Sequence, residues 1–212
     1  MISKFQFITQ GDIEGVSHSQ LAENACRGGC DWVQLRMKNV SDQAWLSEGL
    51  ATQKVCKEYN STFIINDNVL LAKEINADGV HLGKTDMSPV EARIILGEGF
   101  LIGGTANNLN DVKNLVKAQV DYIGLGPYRF TATKENLSPV LSQSDFLEIV
   151  KYLESISSSI PVVAIGGILV DDIKSILKMG IYGVAVASVV SKSQNSVIIT
   201  SQFIQEIQKT VV

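Results

Sequence analysis

The amino-acid sequence predicts a (β/α)8 barrel, and two observations favour this α/β fold class. Short β-branched or apolar runs alternate with amphipathic helical stretches along the chain. Eight such runs occur in 212 residues, which leaves about 26 residues for each unit of one strand, one helix and two short loops. An open doubly wound sheet is the alternative, and it is disfavoured because no GxGxxG motif follows the first run.

The eight candidate strands are short, and several are continuously apolar, as parallel strands covered on both faces should be. They are predicted at residues 5–9, 32–36, 62–66, 79–82, 101–104, 122–126, 162–165 and 183–186. In a barrel of this kind the chemistry lies where the strands end and the following loops begin. The residues after each strand are therefore the candidates for function.

The helices between the strands carry recognisable start and stop signals. The run Ser88-Pro89-Val90-Glu91 combines an N-cap serine, a proline at the first helical position and a capping-box glutamate. Ser41 and Asn108 are expected to cap two further helices. Gly28-Gly29 and Gly180 are expected to end two others, because glycine readily follows the last turn of a helix.

Composition excludes several classes of protein. With 18 Lys+Arg against 22 Asp+Glu the net charge is −4, so a nucleic-acid partner, which needs many phosphate contacts, is not expected. No export leader and no apolar stretch long enough to cross a bilayer is evident, so no membrane partner is expected either. No linker divides the chain, and we expect one catalytic domain over residues 1–212.

The three cysteines, Cys26, Cys30 and Cys56, form an odd set without a CxxC motif. They indicate free thiols in a reducing, cytoplasmic environment rather than a metal site. The apolar helical faces permit a homodimer but do not require one.

Two cations and an amide follow one another at the end of the second strand. Side chains alternate along an extended chain, so Gln34, Arg36 and Lys38 should lie on one side and converge at the barrel mouth. Cations without an intervening carboxylate suit a phosphate or diphosphate. A solvated strand end is the alternative, and it is weakened because Arg36 still lies within the apolar strand pattern.

Aspartates follow the third and fourth strands. Asp67 and Asp86 would lie on neighbouring strand ends, beside Arg36 and Lys38, and paired carboxylates facing phosphate oxygens are typical of Mg²⁺ sites. Taken alone, Asp67 would more simply cap the helix that follows it. His81 lies inside a strand, where a hydrogen-bonded structural histidine is favoured over a general base.

Glycine and hydroxyl residues follow the remaining strands. Gly103-Gly104-Thr105 allows a close approach of the backbone to a ligand. Thr131, Ala132, Thr133 and Lys134 form a segment that can close over an anion, although a polar surface loop is the alternative. Gly166-Gly167 and Ala187-Ser188 follow strands seven and eight, the usual monophosphate cradle of such barrels. Two anion sites and one metal indicate a transfer in which diphosphate leaves.

Taken in order and spacing, these motifs resemble the thiamine phosphate synthase family, also called thiamine-phosphate pyrophosphorylases. The resemblance covers nearly the whole chain and runs through residues 34–38, 65–67, 79–86, 121–127, 131–134 and 164–168. It implies a (β/α)8 barrel that joins hydroxymethylpyrimidine diphosphate to hydroxyethylthiazole phosphate. The products would be thiamine phosphate and diphosphate, formed by a dissociative substitution that needs no protein nucleophile.

The resemblance also implies roles for matched residues. Arg36, Lys38 and Lys134 would act catalytically by stabilising charge on the leaving diphosphate, and Asp67 and Asp86 would bind Mg²⁺. The pyrimidine diphosphate would be held by Gln34, Leu35, Arg36, Met37, Lys38, Asn66, Thr105 and Lys134. The thiazole phosphate would be held by Thr131, Ala132, Thr133, Gly167, Ala187 and Ser188.

Three departures and three alternatives accompany this interpretation. One departure is Ser142, near whose position the family usually has Gly. Lys84 stands where the family commonly has Gln, and Thr105 where it commonly has Ser. A thiazole tautomerase of the same barrel family would need the glycine-rich site but not the cations and aspartates. A sugar-phosphate epimerase would want a His/Asp metal cluster or a symmetrical acid–base pair, and a non-catalytic thiamine-precursor binding protein would not need the Mg²⁺ pair. Retention of the charged set therefore favours the synthase.

Overall fold

Eight parallel strands close into a barrel in the computed structural model, which describes residues 2–11, 13, 15–130 and 138–211. Each strand pairs with its neighbours in sequence order, and the eighth strand pairs with the first. Closure of the sheet confirms the predicted (β/α)8 barrel and excludes the open doubly wound sheet.

Each predicted strand is present, with small differences at four ends. The strands are β1 (Phe5–Ile8), β2 (Trp32–Leu35), β3 (Thr62–Asn66), β4 (Gly79–Leu82), β5 (Leu101–Ala106), β6 (Tyr122–Leu125), β7 (Val162–Ile165) and β8 (Gly183–Val186). Thr9, Arg36 and Gly126 lie just beyond their strands, whereas β5 runs past Gly104. One further backbone hydrogen bond extends the pairing just past the end of β1, from Thr9 N to Gln34 O at 2.9 Å, and one past the end of β6, from Gly126 N to Ala106 O at 3.1 Å.

The helices pack around the outside of the barrel. They are α1 (His18–Arg27), α2 (Asp42–Glu58), α3 (Val69–Glu74), α4 (Pro89–Leu96), α5 (Leu109–Lys117), α6 (Gln143–Ser155), α7 (Ile173–Lys178), α8 (Ser188–Ser191) and α9 (Ser196–Val211), with a 3₁₀ turn (Val170–Asp172) before α7. No helix among the described residues is both long enough and apolar enough to cross a membrane.

The predicted helix signals are confirmed in atomic detail. The Ser88 hydroxyl accepts a hydrogen bond from Glu91 N at 3.3 Å, and the Glu91 carboxylate accepts one from Ser88 N at 3.2 Å. Ser41 and Asn108 cap α2 and α5 through their side chains. Gly28 ends α1, and Gly180 follows α7 with φ +90°, a conformation that favours glycine.

Two apolar layers follow from the alternation of side chains along each strand. Outward-facing residues pack against the helices, and all three cysteines are free and buried in this outer layer. Inward-facing residues pack inside the barrel, and they include Ile8, Trp32, Ile64, Tyr122, Val163 and Ala185. The largest of them, Trp32, Ile64 and Tyr122, are fully buried in its lower part. Because large side chains fill the lower end, the barrel has room for a ligand only toward the carboxyl ends of its strands.

A glycine in β5 makes room for the polar side chains above this layer. A Cβ atom at Gly103 would collide with the Tyr122 ring and lie 2.6 Å from Nδ1 of His81. Tyr122 also packs edge-on against Trp32, with ring centroids 4.8 Å apart. The absence of a side chain at position 103 therefore sets the positions of His81 and Tyr122.

This steric argument gives a prediction about stability. We expect Gly103→Ala to lower the free energy of unfolding by about 1–3 kcal/mol, the cost of overpacking a dense interior. Gly99→Ala is the matched control, because a Cβ there would have no neighbour within 4 Å and should change stability by less than about 0.5 kcal/mol. Urea denaturation of both variants measures the difference, and equal midpoints would contradict the packing argument.

Candidate active site

A cavity of about 760 Å³ opens at the carboxyl ends of the strands. Every strand contributes to its wall, through Gln6, Gln34, Asn66, His81, Thr105, Gly124, Ile165 and Ala185. Barrels of this architecture carry their chemistry at this face, in the loops that follow the strands. The cavity is therefore the candidate active site.

Alternation of side chains continues beyond the end of β2. Gln34, Arg36 and Lys38 all line the cavity, as the sequence predicts. The hydroxyl of Thr9 accepts a hydrogen bond from Arg36 N at 3.1 Å and so holds the extended chain in place. An amide and two cations from one short segment therefore face the same space.

The same alternation turns two residues predicted to bind substrate, Leu35 and Met37, away from the cavity. Leu35 and Met37 are buried in the outer apolar layer between the barrel and the helices, and neither lines the cavity. Side chains that alternate cannot all face one space, so the structure does not bring these two together with Gln34, Arg36 and Lys38.

The two aspartates lie side by side on this half of the cavity. Asp67 and Asp86 both line it, and Asp67 forms an ion pair with the Lys38 ammonium. The alternative role of Asp67 as a helix cap is wrong, because Asn68 caps α3 by accepting a hydrogen bond from Leu71 N at 3.0 Å. The Asp67 carboxylate is therefore available to the cavity.

The pKa of Asp86 is raised by its surroundings, which include the Asp67 carboxyl group. Burial raises the pKa of Asp86, and the neighbouring Asp67 carboxyl raises it further. The hydrogen bond from Gly83 N to the Asp86 carboxylate, 2.6 Å long, and the Lys38 charge oppose the rise only in part. Two carboxylates held together in this way form a local excess of negative charge that a cation would relieve.

These residues fit a magnesium ion as a partial ligand set. Carboxylate oxygens are the hard donors that Mg²⁺ prefers, and protein Mg²⁺ sites usually keep substrate phosphates and water as further ligands. Within the part of the chain that the structure describes, no cluster of three or more His, Cys, Asp or Glu side chains could hold a metal. A metal at Asp67 and Asp86 would thus be completed by an anionic substrate and water.

The opposite half of the cavity is rich in glycine and small residues. Gly166 and Gly167, with φ +101° and +63°, follow β7 and line the cavity together with Ala187 and Ser188. Backbone N–H groups become accessible where side chains are absent, and such loops typically hold phosphate groups. Of the residues predicted for a monophosphate, Gly167, Ala187 and Ser188 are thus brought together.

An ion pair joins the loop after β6 to this glycine-rich loop. Arg129 donates to Gly167 O at 2.6 Å and forms a bidentate pair with the Asp172 carboxylate at 2.8 and 2.9 Å. Burial would raise the pKa of Asp172, but hydrogen bonds from Arg129 and from Leu169 N, with the guanidinium charge, lower it overall. The two loops are thereby held in a fixed relation.

The predicted residues Thr131, Ala132, Thr133 and Lys134 lie outside the described residues, so their roles stay predictions. Ser138, the first described residue after this segment, lines the cavity.

Lys84 lies at the rim of the cavity with its charge already engaged. Its ammonium group lies 2.9 Å from the Asp111 carboxylate, which also accepts a hydrogen bond from Asn107 N at 2.9 Å. Lys84 is therefore tied to the start of α5 and not directed at the two aspartates.

His81 lies in the floor of the cavity within a hydrogen-bonded network. Its Nε2 lies 3.0 Å from the Thr105 hydroxyl, and its Nδ1 lies 3.1 Å from the Tyr122 hydroxyl. This arrangement supports the structural role favoured from the sequence and also holds Thr105 in the cavity wall.

Several cavity residues were missed by the sequence analysis. They include Gln6, Ile8, Thr9, Asn107, Ser138 and Lys192. A signal existed for Gln6, since it is a polar residue two positions before the apolar Ile8 on the inward side of β1. Lys192 follows the short α8, and only the folded chain brings it to the glycine-rich half of the cavity.

Comparisons with known proteins identify the family to which the chain is similar. The family model described as thiamine monophosphate synthase matches residues 5–190. Proteins named thiamine-phosphate synthase are 46% identical over 197 residues in Flavobacterium psychrophilum, covering 92% of this chain and 94% of that protein, and 43% identical over 213 residues in Flavobacterium johnsoniae, covering 100% of both. A solved structure of thiamine phosphate pyrophosphorylase from Pyrococcus furiosus superposes with a TM-score of 0.87 at 28% identity, covering 99% of this chain and 97% of that one.

The raised pKa of Asp86 leads to a prediction about stability. A carboxyl whose pKa is higher in the folded state destabilises the fold once it is ionised, so stability falls as pH rises through that pKa. We therefore expect Asp86→Asn to raise the melting temperature near neutral pH without Mg²⁺, and the gain to vanish in acid, where Asp86 is protonated. Added Mg²⁺ should raise the melting temperature of the wild type but not of the variant.

Glu148→Gln is the control for this experiment, because it removes an exposed carboxylate outside the cavity. Thermal melts over a pH series, with and without Mg²⁺, measure the effect. A variant that Mg²⁺ stabilises as much as it does the wild type would contradict the metal assignment.

Proposed function

The chain belongs to the thiamine monophosphate synthase family, and on that premise we propose that it condenses 4-amino-2-methyl-5-(diphosphooxymethyl)pyrimidine with 4-methyl-5-(2-phosphooxyethyl)thiazole. The products would be thiamine phosphate and diphosphate. Membership of the family makes the protein a transferase of thiamine biosynthesis. The observation that carries the proposal is the division of one cavity into a half with cations and carboxylates and a glycine-rich half.

The charged half of the cavity suits the pyrimidine diphosphate. Arg36 and Lys38 supply positive charge, and Asn66 offers a buried amide nitrogen that has no hydrogen-bond partner in the part of the chain that the structure describes. Guanidinium groups bind phosphate oxygens in a bidentate manner, so Arg36 would both orient the diphosphate and stabilise charge on it. Lys134 is assigned here by family resemblance alone.

Asp67 and Asp86 would hold Mg²⁺ in this half of the cavity. When bound, the metal would supply positive charge to the diphosphate oxygens and so improve them as a leaving group. Lys38, which pairs with Asp67, would then be released toward the substrate phosphates.

The glycine-rich half suits the monophosphate of the thiazole. Backbone N–H groups of Gly167 and Ser188 would donate to its oxygens, as in other barrels with this cradle. Lys192 lines this half and adds a positive charge. Since both anions are held in one cavity, the two rings would face each other between them.

The proposed reaction requires no side chain as nucleophile. The bond from the methylene carbon to the diphosphate oxygen breaks, and the electron pair leaves with the diphosphate. The electron-rich aminopyrimidine stabilises the resulting cation, and the thiazole nitrogen donates its lone pair to the methylene carbon. The chain's part is to bind both anions, align the rings and stabilise the leaving charge.

The tautomerase alternative explains less of the cavity. It would use the glycine-rich half and leave Arg36, Lys38, Asp67 and Asp86 without a role. A non-catalytic binding protein would likewise have no need for a paired-carboxylate site whose charges repel each other.

The proposal is tested by a coupling assay with both phosphorylated precursors. We expect thiamine phosphate, detected as its fluorescent thiochrome derivative, to form with Mg²⁺ and not with EDTA. Product formed equally in EDTA would contradict the metal requirement. Binding of the thiazole phosphate without any product would favour the tautomerase or binding-protein alternatives.

Replacing the cations of the cavity one at a time should distinguish those that stabilise the leaving diphosphate from those that only lie at the rim. We expect Arg36→Ala to lower kcat/KM by about 10²–10³-fold, as does loss of one preorganised charge-stabilising donor in other enzymes. Lys84→Ala is the matched control, and it should cost less than about fivefold, because an exposed ion pair contributes little. Lys134→Ala should resemble Arg36→Ala. Equal losses for Lys84 and Lys134 would assign Lys84 a direct contact with substrate.

A further inference from the structure

Gln6 is a buried amide in the floor of the cavity. It lies on β1, is 1% exposed and lines the cavity. Its carbonyl oxygen accepts a hydrogen bond from the Gln34 amide at 3.4 Å. Gln6 is thus hydrogen-bonded to Gln34 on β2 and lies nearer the amino ends of the strands than Gln34 does. The segment with Arg36 and Lys38 follows Gln34 toward the cavity mouth.

The amide nitrogen of Gln6 lacks a hydrogen-bond partner among the described residues. Burial raises the pKa of the nearby Tyr122 phenol, and the Gln6 side chain opposes this rise, so the amide lies beside that hydroxyl. An NH₂ group carries two donor protons. Even if one of them is directed at the Tyr122 hydroxyl, the other has no acceptor among the described residues. A buried donor without an acceptor costs free energy, so such groups in native proteins usually serve a ligand or water.

Two of the unpartnered buried donors line the cavity, namely the amide nitrogens of Gln6 and Asn66. Asn66 lies beside Asp67 at the mouth, where the diphosphate would bind. Gln6 lies deeper, and its neighbours on the cavity wall are uncharged: Ile8 on the same strand, Gln34 and Ala185 on the two adjacent strands. The deeper donor is therefore suited to a neutral acceptor, such as a ring nitrogen, and not to a phosphate oxygen.

We propose that the Gln6 amide donates a hydrogen bond to a ring nitrogen of the aminopyrimidine and so selects that heterocycle. The inference rests on the proposed function, because it takes the pyrimidine diphosphate as the substrate. A diphosphate held by Arg36 and Lys38 directs the attached ring inward, past Gln34 and toward Gln6. The pyrimidine offers two ring nitrogens with free lone pairs.

The other substrate is a poor partner for this donor. The thiazole nitrogen is the nucleophile, so its lone pair must point at the methylene carbon and cannot face a donor in the floor. A neutral amide also orients the pyrimidine without placing positive charge beside the cation that forms on its methylene group. Gln6 suits the aminopyrimidine on both counts.

The test compares Gln6→Met, which keeps the side-chain length but removes the donor, with the wild type. Each protein receives the pyrimidine diphosphate and its two monodeaza analogues, in which one ring nitrogen is replaced by C–H. We expect the wild type to bind one analogue about 10- to 100-fold more weakly than the natural substrate, since the donor then stays unpaired. In Gln6→Met the ratio of the Kd for that analogue to the Kd for the natural substrate should fall to near one. KM for the thiazole phosphate should change little.

Gln202→Met is the control, because Gln202 is exposed on α9 and its replacement should leave every constant unchanged. A ratio in Gln6→Met equal to that of the wild type for both analogues would overturn the proposal. The proposal would also be overturned if Gln6→Met changed only the KM for the thiazole phosphate and left binding of the pyrimidine compounds unaltered. If Gln6→Met does not fold, the wild type still decides the question, since equal affinity for the natural substrate and both analogues would also overturn it.

Calorimetric binding in the presence of Mg²⁺ keeps this test separate from the proposed activity. Binding of the pyrimidine diphosphate without turnover would contradict the coupling reaction, while the ratio between analogues would still report on Gln6. Failure of the wild type to bind the pyrimidine diphosphate would overturn both. Turnover with an unchanged ratio would overturn only the role of Gln6.

Discussion

Closure of eight parallel strands into a barrel is the constraint on which the rest of this structure depends. A closed sheet has one inside and one outside, so strict alternation assigns every strand residue to the barrel interior or to the helix layer. The lower interior is filled by Trp32, Tyr122 and other large side chains. The upper interior carries Gln34, Asn66 and Thr105, which face the cavity. One geometric rule therefore separates a packed, stabilising region from a polar, reactive one a few residues away along the same strands.

Charge in the cavity is arranged before any ligand arrives. The Lys38–Asp67 pair and the nearby Asp86 place opposite charges side by side, at some cost in the stability of the unliganded fold. Arg129 fixes the glycine-rich loop through Gly167 and Asp172, so its backbone donors are held in position. Groups that are already oriented stabilise a developing charge without the reorganisation that water would need. The charged groups and the glycine-rich loop of the cavity are thus held in position by contacts within the protein.

Much of the fold and of the site was predictable because the signals are local. Strand positions follow from apolar runs, and the cap at Ser88 follows from a four-residue pattern. The convergence of Arg36 and Lys38 follows from a period of two. The structure also adds what the sequence pattern left open, and each addition has a physical cause. Asp67 was a reasonable cap candidate, but Asn68 takes that role and leaves the carboxylate to the cavity. Leu35 and Met37 belong to a matched segment, yet alternation turns their side chains into the outer apolar layer.

The sequence by itself determined the eight strands, their alternation with helices and the residues that carry charge at the strand ends, because each depends on neighbours within a few positions. Tertiary structure alone decided what those charges meet. Lys84 pairs with Asp111, Arg129 with Asp172, and Lys192 reaches the cavity. These contacts join residues far apart in the chain, and no local pattern encodes them. The Gln6 amide belongs to the same class, since the lack of an acceptor among the described residues can be recognised only in the folded chain.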